Sequence, residues 1–160
     1  MSVSLKTGDE PFRSGSQLLQ ATVLDYWRWS GSDLMNNRER SILGEFLVAM
    51  ALGLEKEPRL EWNGYDLKMD KLKIEIKTSS AKQSWPQSKP SPIRFDIAPQ
   101  KYAWDAETDT TDYEEKRHAD VCVFCELHGD DPLDTAGWKF YVVSTAVLNQ
   151  RLPNQKSIGV

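Results

Sequence analysis

Histidine and cysteine are scarce in this sequence, which removes support for several common kinds of catalytic and metal site. The chain contains two histidines, so a hydrolase built on a catalytic triad is poorly supported. The two cysteines, Cys122 and Cys125, do not suggest a disulfide framework. They have the spacing of a zinc knuckle, but no second Cys or His pair stands nearby to complete four ligands. We therefore expect both to pack in the core, and a zinc site that also uses His118 is the weaker alternative.

Long apolar runs and phosphate-binding glycine loops are also missing. No apolar run approaches the roughly 20 residues that a membrane span needs, and residues 1–8 lack the apolar core of a signal peptide. We therefore expect a cytoplasmic protein. The sequence has no P-loop and no Gly-x-Gly-x-x-Gly fingerprint, so nucleotide-binding α/β folds lack support.

The charge is unevenly distributed along the chain. The net charge of −4 argues mildly against a nucleic-acid partner. However, residues 68–101 hold eight basic and three acidic residues, a local charge of +5, whereas residues 105–134 hold two basic and eleven acidic residues, a local charge of −9. The basic segment is a candidate anion-binding surface, and a solvated polar face is the alternative. Its candidate substrate contacts are Lys68, Lys73, Lys82 and Gln83.

The 160 residues fit one domain with a sizeable core. We interpret residues 1–16 as a mobile N-terminal arm, residues 17–160 as the single domain and residues 105–117 as an exposed loop. The patterns predict helices over Gln17–Trp29, Arg38–Leu52, Pro99–Trp104 and Ser144–Gln150. Strands are predicted over Ile93–Ile97, Ala119–Leu127 and Trp138–Val143, of which Ala119–Leu127 is the best candidate for a buried central strand.

The alternating stretch from Gly64 to Lys77 predicts a tight β-hairpin. With Asp70-Lys71 as the turn, Asp66 lies directly opposite Glu75, and Lys77 shares their face because side chains alternate with period 2. Two opposed carboxylates repel each other unless a cation lies between them, and a hard divalent cation such as Mg²⁺ suits oxygen ligands. The alternative is an amphipathic hairpin whose charged face is only solvated.

Glu45 stands out because it interrupts the dense apolar pattern of the helix predicted over Arg38–Leu52. A carboxylate there is costly unless it is paired, protonated or bound to a metal. Pairing with Arg38 or Arg40 is the alternative to a role in a site. Gly44, next to it, would let this helix approach a neighbouring backbone closely.

Together, these residues resemble the PD-(D/E)xK nuclease superfamily, the restriction-endonuclease-like proteins. The resemblance covers about residues 20–150 and rests on Glu45, Asp66 and the run Glu75-Ile76-Lys77, in the order helix, strand, strand, strand, helix, strand. The chain departs from the pattern at Tyr65, where the superfamily has proline. The fold implied is α/β with three layers, a mixed central β-sheet flanked by helices.

The resemblance also implies a division of roles in an active site. Asp66 and Glu75 would bind Mg²⁺, with the Ile76 carbonyl as a further ligand and Glu45 binding directly or through water; Mn²⁺ is the expected substitute metal. Lys77 would orient the attacking water and offset charge on phosphorus. The metal would lower the pKa of bound water and stabilise developing charge.

The leading hypothesis is a Mg²⁺-dependent endonuclease that hydrolyses phosphodiester bonds in DNA, expected to be double-stranded, with a restriction or defence role. With no separate recognition domain visible, recognition would come from loops, from a homodimer or from a separate specificity subunit. The alternative is a catalytically silent protein of the nuclease fold that acts as a nucleic-acid-binding or accessory module.

Overall fold

The computed structural model describes residues 3–159 and contains ten strands and three α-helices within that range. The helices are α1 (Val23–Gly31), α2 (Asn37–Leu52) and α3 (Thr145–Arg151). The strands are β1 (Pro11–Ser14), β2 (Gln17–Thr22), β3 (Leu67–Met69), β4 (Leu72–Ser80), β5 (Arg94–Asp96), β6 (Ala103–Asp105), β7 (Thr110–Asp112), β8 (Val121–Leu127), β9 (Trp138–Ser144) and β10 (Ser157–Gly159).

A mixed sheet with the strand order β3-β4-β8-β9 forms the centre. The β3–β4 and β8–β9 pairs are antiparallel, whereas β4 and β8 run parallel. On β4, Ile74 and Ile76 are buried against one face, so the alternating Glu75 and Lys77 project from the other. The parallel register sets Glu75 beside Cys122 and Lys77 beside Phe124. The predicted mixed sheet is confirmed, and so is its buried central strand, which begins at Val121 and not at Ala119.

Helix α2 covers the face that carries Ile74 and Ile76. Leu47 and Val48 of the helix pack against these isoleucines and against residues of β8. Asn36 caps the start of α2, and Gly53 ends it in the left-handed conformation (φ 71°). At Gly44 the helix does lie close to β4, but the atom that a Cβ there would collide with is the side-chain Oγ1 of Thr78 and not the predicted backbone.

The opposite face of the sheet has a second, smaller core. The rings of Phe95 and Phe124 lie 4.9 Å apart, and Leu148 of α3 joins this cluster. Strands β5 and β10 form an antiparallel ribbon beside it. The sheet therefore has α2 on one face and α3 with the ribbon on the other, which is a mixed α/β arrangement.

The helix predicted over Gln17–Trp29 is wrong in its first half. Residues 17–22 form β2 and pair with β1, which lies in the segment interpreted as a mobile arm. The helix starts later because Thr22 and Asp25 form a capping box: the Thr22 hydroxyl accepts from the Asp25 N–H, and the Asp25 carboxylate accepts from the Thr22 N–H.

The region 99–117 also differs from prediction. In place of a helix over Pro99–Trp104 and an exposed loop, β6 and β7 form an antiparallel hairpin. A backbone hydrogen bond connects this hairpin to the segment before β3: the Gly64 N–H donates to the Trp104 carbonyl at 2.7 Å. Within residues 3–159, no helix is both long and apolar enough to cross a bilayer.

Candidate active site

Asp66 lies immediately before β3 and is held by two backbone contacts. Its N–H donates to the Ile74 carbonyl at 3.0 Å, and its Oδ2 accepts the Ile76 N–H at 2.6 Å. The predicted hairpin register is confirmed along Leu67–Ile74, Lys68–Lys73 and Met69–Leu72. The regular pairing ends at Leu67–Ile74, so Asp66 lies just outside the ladder and turns its carboxylate toward the β4 backbone.

Glu75 and Lys77 project from the same face of β4 and form an ion pair with each other. Both side chains are partly buried, at 27% and 32% exposed. With Asp66 they line one cavity of about 230 Å³, which we call the carboxylate cavity. Its other lining residues include Trp62, Asp96, Tyr102, His118 and Cys122. The structure therefore brings three of the four predicted catalytic residues to one place.

The electrostatic environment of Asp66 is strongly unfavourable to its charge. Burial, followed by repulsion from Glu75 and Glu45, raises the pKa of Asp66 to about 7, although the Ile76 N–H and Lys77 act in the opposite direction. A carboxyl group buried among other carboxylates is stabilised by a cation placed beside it. This is the physical condition expected of a metal-binding carboxylate.

Lys77 stays positively charged in this environment. Burial opposes its charge, but the attraction of Glu75, Asp66 and Asp96 outweighs burial and raises the pKa of Lys77. A lysine of this kind cannot take up a proton near neutral pH. It can offset negative charge and donate hydrogen bonds to a water or a phosphate oxygen.

Glu45 is buried on α2, and its carboxylate is occupied by Arg59. The Arg59 Nε donates to one oxygen of Glu45 and its NH2 group donates to the other at 3.0 Å, while NH1 pairs with Glu61. The proposed pairing with Arg38 or Arg40 is therefore wrong, but the idea of a paired Glu45 is correct. Arg59 was missed because residues 53–66 show no periodic pattern from which a contact could be predicted.

Glu45 and Asp66 share a second cavity of about 450 Å³ beneath α2, which we call the helix cavity. Asp66 lines both cavities, whereas Glu45 lines only the helix cavity, and Glu75 and Lys77 line only the carboxylate cavity. Glu45 is close enough to raise the pKa of Asp66, but it does not line the carboxylate cavity. The expected convergence of all four residues on one point is therefore only partial.

The candidate substrate contacts are engaged within the chain. Lys68 pairs with Glu107, Lys82 pairs with Asp130, and the Lys73 Nζ lies 2.8 Å from Asp105. Lys73 also lies over the ring of Tyr65, 5.0 Å from its centroid. Gln83 accepts from buried Arg40 at 3.2 Å and donates to the Ser80 carbonyl at 2.9 Å. Acidic residues of the segment 105–134 thus neutralise all three candidate lysines.

The donor set limits which metal the site could hold. Across the described residues, no three Asp, Glu, His or Cys side chains come together as a ready-made metal cluster. Asp66 and Glu75 are nevertheless a carboxylate pair on one cavity wall, and Mg²⁺ commonly uses one or two carboxylates while keeping several waters. The residues present therefore fit Mg²⁺ better than a metal that requires a closed cage.

The zinc alternative has no geometric support. Cys125 packs in the core under α2 and Cys122 in the core on the opposite face. Burial raises the pKa of both thiols, that of Cys125 to about 12, so neither favours the thiolate that zinc requires. The expectation that both cysteines pack in the core is confirmed.

Comparison with known proteins gives one informative match. No curated protein sequence and no solved structure matches the chain. The model of one protein family, Bacteriophage T4 endonuclease IV, matches residues 22–149. The matched range includes Glu45, Asp66, Glu75 and Lys77 and spans most of the 160 residues. The chain therefore belongs to the Bacteriophage T4 endonuclease IV family.

Proposed function

We propose that this protein is a Mg²⁺-dependent DNA endonuclease of the PD-(D/E)xK type. The observation that carries the proposal is the grouping of Asp66, Glu75 and Lys77 on the wall of one cavity. The match to the Bacteriophage T4 endonuclease IV family supports an endonuclease. The mixed sheet with helices on both faces is compatible with the restriction-endonuclease-like fold. A restriction or defence role is the biological hypothesis that accompanies this activity.

Asp66 and Glu75 would hold Mg²⁺, with the carbonyl of Ile76 as a further ligand and Mn²⁺ as a substitute metal. Mg²⁺ would supply an acidified water and an electrostatic partner for the negative charge that develops on the phosphate. The Ile76 N–H fixes the Asp66 carboxylate through Oδ2, which leaves Oδ1 for a cation. Glu45 would act through water, because Arg59 already occupies both of its oxygens.

Lys77 would orient the attacking water and offset charge on the phosphate. Its present partner is Glu75, one of the two proposed metal ligands. If Glu75 held a cation, its attraction for Lys77 would be weaker, and the ammonium group would be available to donate to the substrate. One residue pair would thereby couple metal binding to phosphate binding.

A cleavage assay on supercoiled plasmid with Mg²⁺, Mn²⁺ or EDTA tests the proposal directly. We expect Glu75→Ala and Asp66→Ala to lower cleavage by about 100-fold or more, the scale of losing one preorganised electrostatic contribution to catalysis. Asp70→Asn is the matched control, because Asp70 is an exposed carboxylate at the turn of the same hairpin and its left-handed conformation (φ 56°) suits asparagine. Cleavage by Glu75→Ala at the parental rate would contradict the proposal.

The alternative function, a catalytically silent nucleic-acid-binding or accessory module, is favoured by one observation. All three candidate lysines and Glu45 are already paired within the chain, which lowers the charge available to substrate and metal. Calorimetric titration with Mn²⁺ separates the two functions. The endonuclease binds the ion in a manner that Glu75→Gln weakens, whereas a silent module need not bind it.

A further inference from the structure

Two large aromatic side chains line the carboxylate cavity while remaining mostly exposed. Trp62 is 83% exposed and Tyr102 is 65% exposed, and both face the cavity that also holds Asp66, Glu75 and Lys77. A single exposed aromatic is ordinary on a protein surface. Two of them beside three charged groups combine flat apolar surface with a polar reaction site, which is the composition of a ligand pocket.

The two segments that carry these rings are connected by hydrogen bonds. Gly64, two residues after Trp62, donates its N–H to the carbonyl of Trp104, two residues after Tyr102, at 2.7 Å. The Asn63 side chain accepts the Ala106 N–H at 3.1 Å. A Cβ at Gly64 would come within 2.6 Å of the Ala103 Cβ, so the close contact requires glycine. Trp62 and Tyr102 therefore lie on two segments of the cavity wall that hydrogen bonds and a close backbone contact hold together.

Trp104 lines the same cavity, but its indole is held by a hydrogen bond within its own hairpin. Its ring is partly buried on β6, and its Nε1 donates to Asp109 Oδ1 at 3.1 Å within the β6–β7 hairpin. This partner fixes the indole to its own hairpin. Trp62 and Tyr102 remain as the rings whose faces are open to a ligand.

We infer that Trp62 and Tyr102 form a stacking site for a nucleobase next to the phosphodiester bond held at Asp66, Glu75 and Lys77. This inference rests on the proposed function, because it takes the cavity to bind a nucleotide chain. Each base has a π-face, and aromatic side chains bind it by stacking. A base that stacks on the Trp62 ring is no longer stacked on its neighbouring bases. The aromatic rings thereby position the nucleotide whose phosphate enters the cavity.

The role of these rings is to position the substrate, and they take no part in proton transfer. Stacking on an aromatic ring changes nucleic-acid affinity by about 5- to 150-fold per base. Trp62 has the larger ring and the greater exposure, so its removal should have the larger effect.

Equilibrium binding in EDTA measures this stacking separately from catalysis. The probes are an oligodeoxynucleotide and a series of otherwise identical strands, each with one abasic nucleotide at a successive position. We expect Trp62→Ala to weaken binding of the intact strand about 5- to 150-fold. For one abasic strand, the parent should already bind weakly and Trp62→Ala should weaken it no further, because the base that stacks is missing. Tyr102→Ala should act in the same direction, and Trp62→Phe should recover part of the affinity.

A strand with 2-aminopurine at the identified position gives a second readout, since stacking on the indole quenches its fluorescence. The quenching should be present in the parent and lost in Trp62→Ala. Trp29→Ala is the matched control: Trp29 is 86% exposed but does not line the cavity, so its removal should change neither signal. Because Trp62 is exposed, thermal unfolding of Trp62→Ala should match that of the parent.

Two results would overturn the inference: unchanged affinity of Trp62→Ala for the intact strand, or an equal loss on the intact strand and every abasic strand. The second pattern would mean that Trp62 acts on the backbone or on the fold. Failure of the proposed catalytic site looks different. In that case Glu75→Ala cleaves like the parent, whatever the abasic series shows.

Discussion

The N–H of Ile76 donates a 2.6 Å hydrogen bond to Oδ2 of Asp66, across the open end of the β3–β4 hairpin. This bond holds the Asp66 carboxylate against β4 beyond the last regular pair, Leu67–Ile74. It also stabilises the ionised carboxylate, but burial and the charges of Glu75 and Glu45 outweigh it. Asp66 is therefore fixed in position and poorly compensated in charge, and the first two predictions follow from this combination.

Replacing Asp66 with Asn should stabilise the metal-free protein at high pH. The folded-state pKa is raised to about 7 from an ordinary 3.8, so between these values the unfolded chain releases its proton first. The contribution of Asp66 to the free energy of unfolding thus falls as pH rises through this window, and stays low above pH 7. In EDTA, urea unfolding should show Asp66→Asn more stable than the parent at pH 8 and nearly equal to it at pH 4. An equal difference at both values would contradict the shifted pKa, and Asp70→Asn is the control for removing a hairpin charge.

Divalent cations should stabilise the parent protein at pH 8 by binding to Asp66 and Glu75, the two proposed metal ligands. A ligand that binds only the folded state at 100 times its Kd raises the free energy of unfolding by about 2.7 kcal/mol. Thermal unfolding with increasing Mn²⁺ should therefore show a rising Tm for the parent. Glu75→Gln should show little or no rise, while Asp70→Asn should behave like the parent. Equal responses of the parent and Glu75→Gln would locate ion binding elsewhere.

The elements that sequence patterns predicted well are those fixed by local signals. Helix α2 has an Asn cap, a dense apolar run and a terminating glycine, and its predicted limits differ from the observed ones by one residue at most. The β3–β4 register follows from the turn and the apolar alternation, and strand β8 follows from its continuous apolar run. In each case the neighbouring residues alone determine the structure.

Arg59 and the β6–β7 hairpin were missed because they depend on contacts between distant segments, whereas the β1–β2 hairpin and the Thr22–Asp25 capping box are local features that were overlooked. Arg59 reaches Glu45 from a stretch without periodicity, and the β6–β7 hairpin is held partly by Lys73 and by the Gly64 backbone. The acidic loop was expected to be solvated because its composition gives no sign of a partner 30 or more residues away. Composition indicated the charges of both segments but did not indicate that they pair.

Removing Arg59 should destabilise the protein through Glu45. Arg59→Gln leaves a buried carboxylate without its two-point partner, which costs about 1–3 kcal/mol once the partial exposure of Arg59 is taken into account. The double variant Glu45→Gln/Arg59→Gln should recover part of that loss, because the buried side chain at position 45 is then an uncharged amide. Urea unfolding of the two single variants and the double variant gives the coupling free energy. Additive losses would mean that the ion pair contributes nothing beyond its separate side chains.

The acidic hairpin should compete with nucleic acid for Lys68. Glu107 pairs with Lys68 and lies on the exposed turn between β6 and β7, so Glu107→Gln releases one cation at the helix cavity, which Asp66 also lines. We expect tighter binding of an oligodeoxynucleotide at low salt and a steeper salt dependence, by about 0.7–0.9 in the slope of log K against log salt for one added phosphate contact. Fluorescence anisotropy from 50 to 200 mM salt, the range in which such contacts weaken strongly, measures both quantities. Glu114→Gln is the matched control for net charge, because it removes the same charge from the same acidic segment, while its partner Lys116 stays paired with Asp112 and is not a candidate contact. If both variants bind more tightly by the same factor, the gain comes from net charge alone, and Lys68 is not a substrate contact.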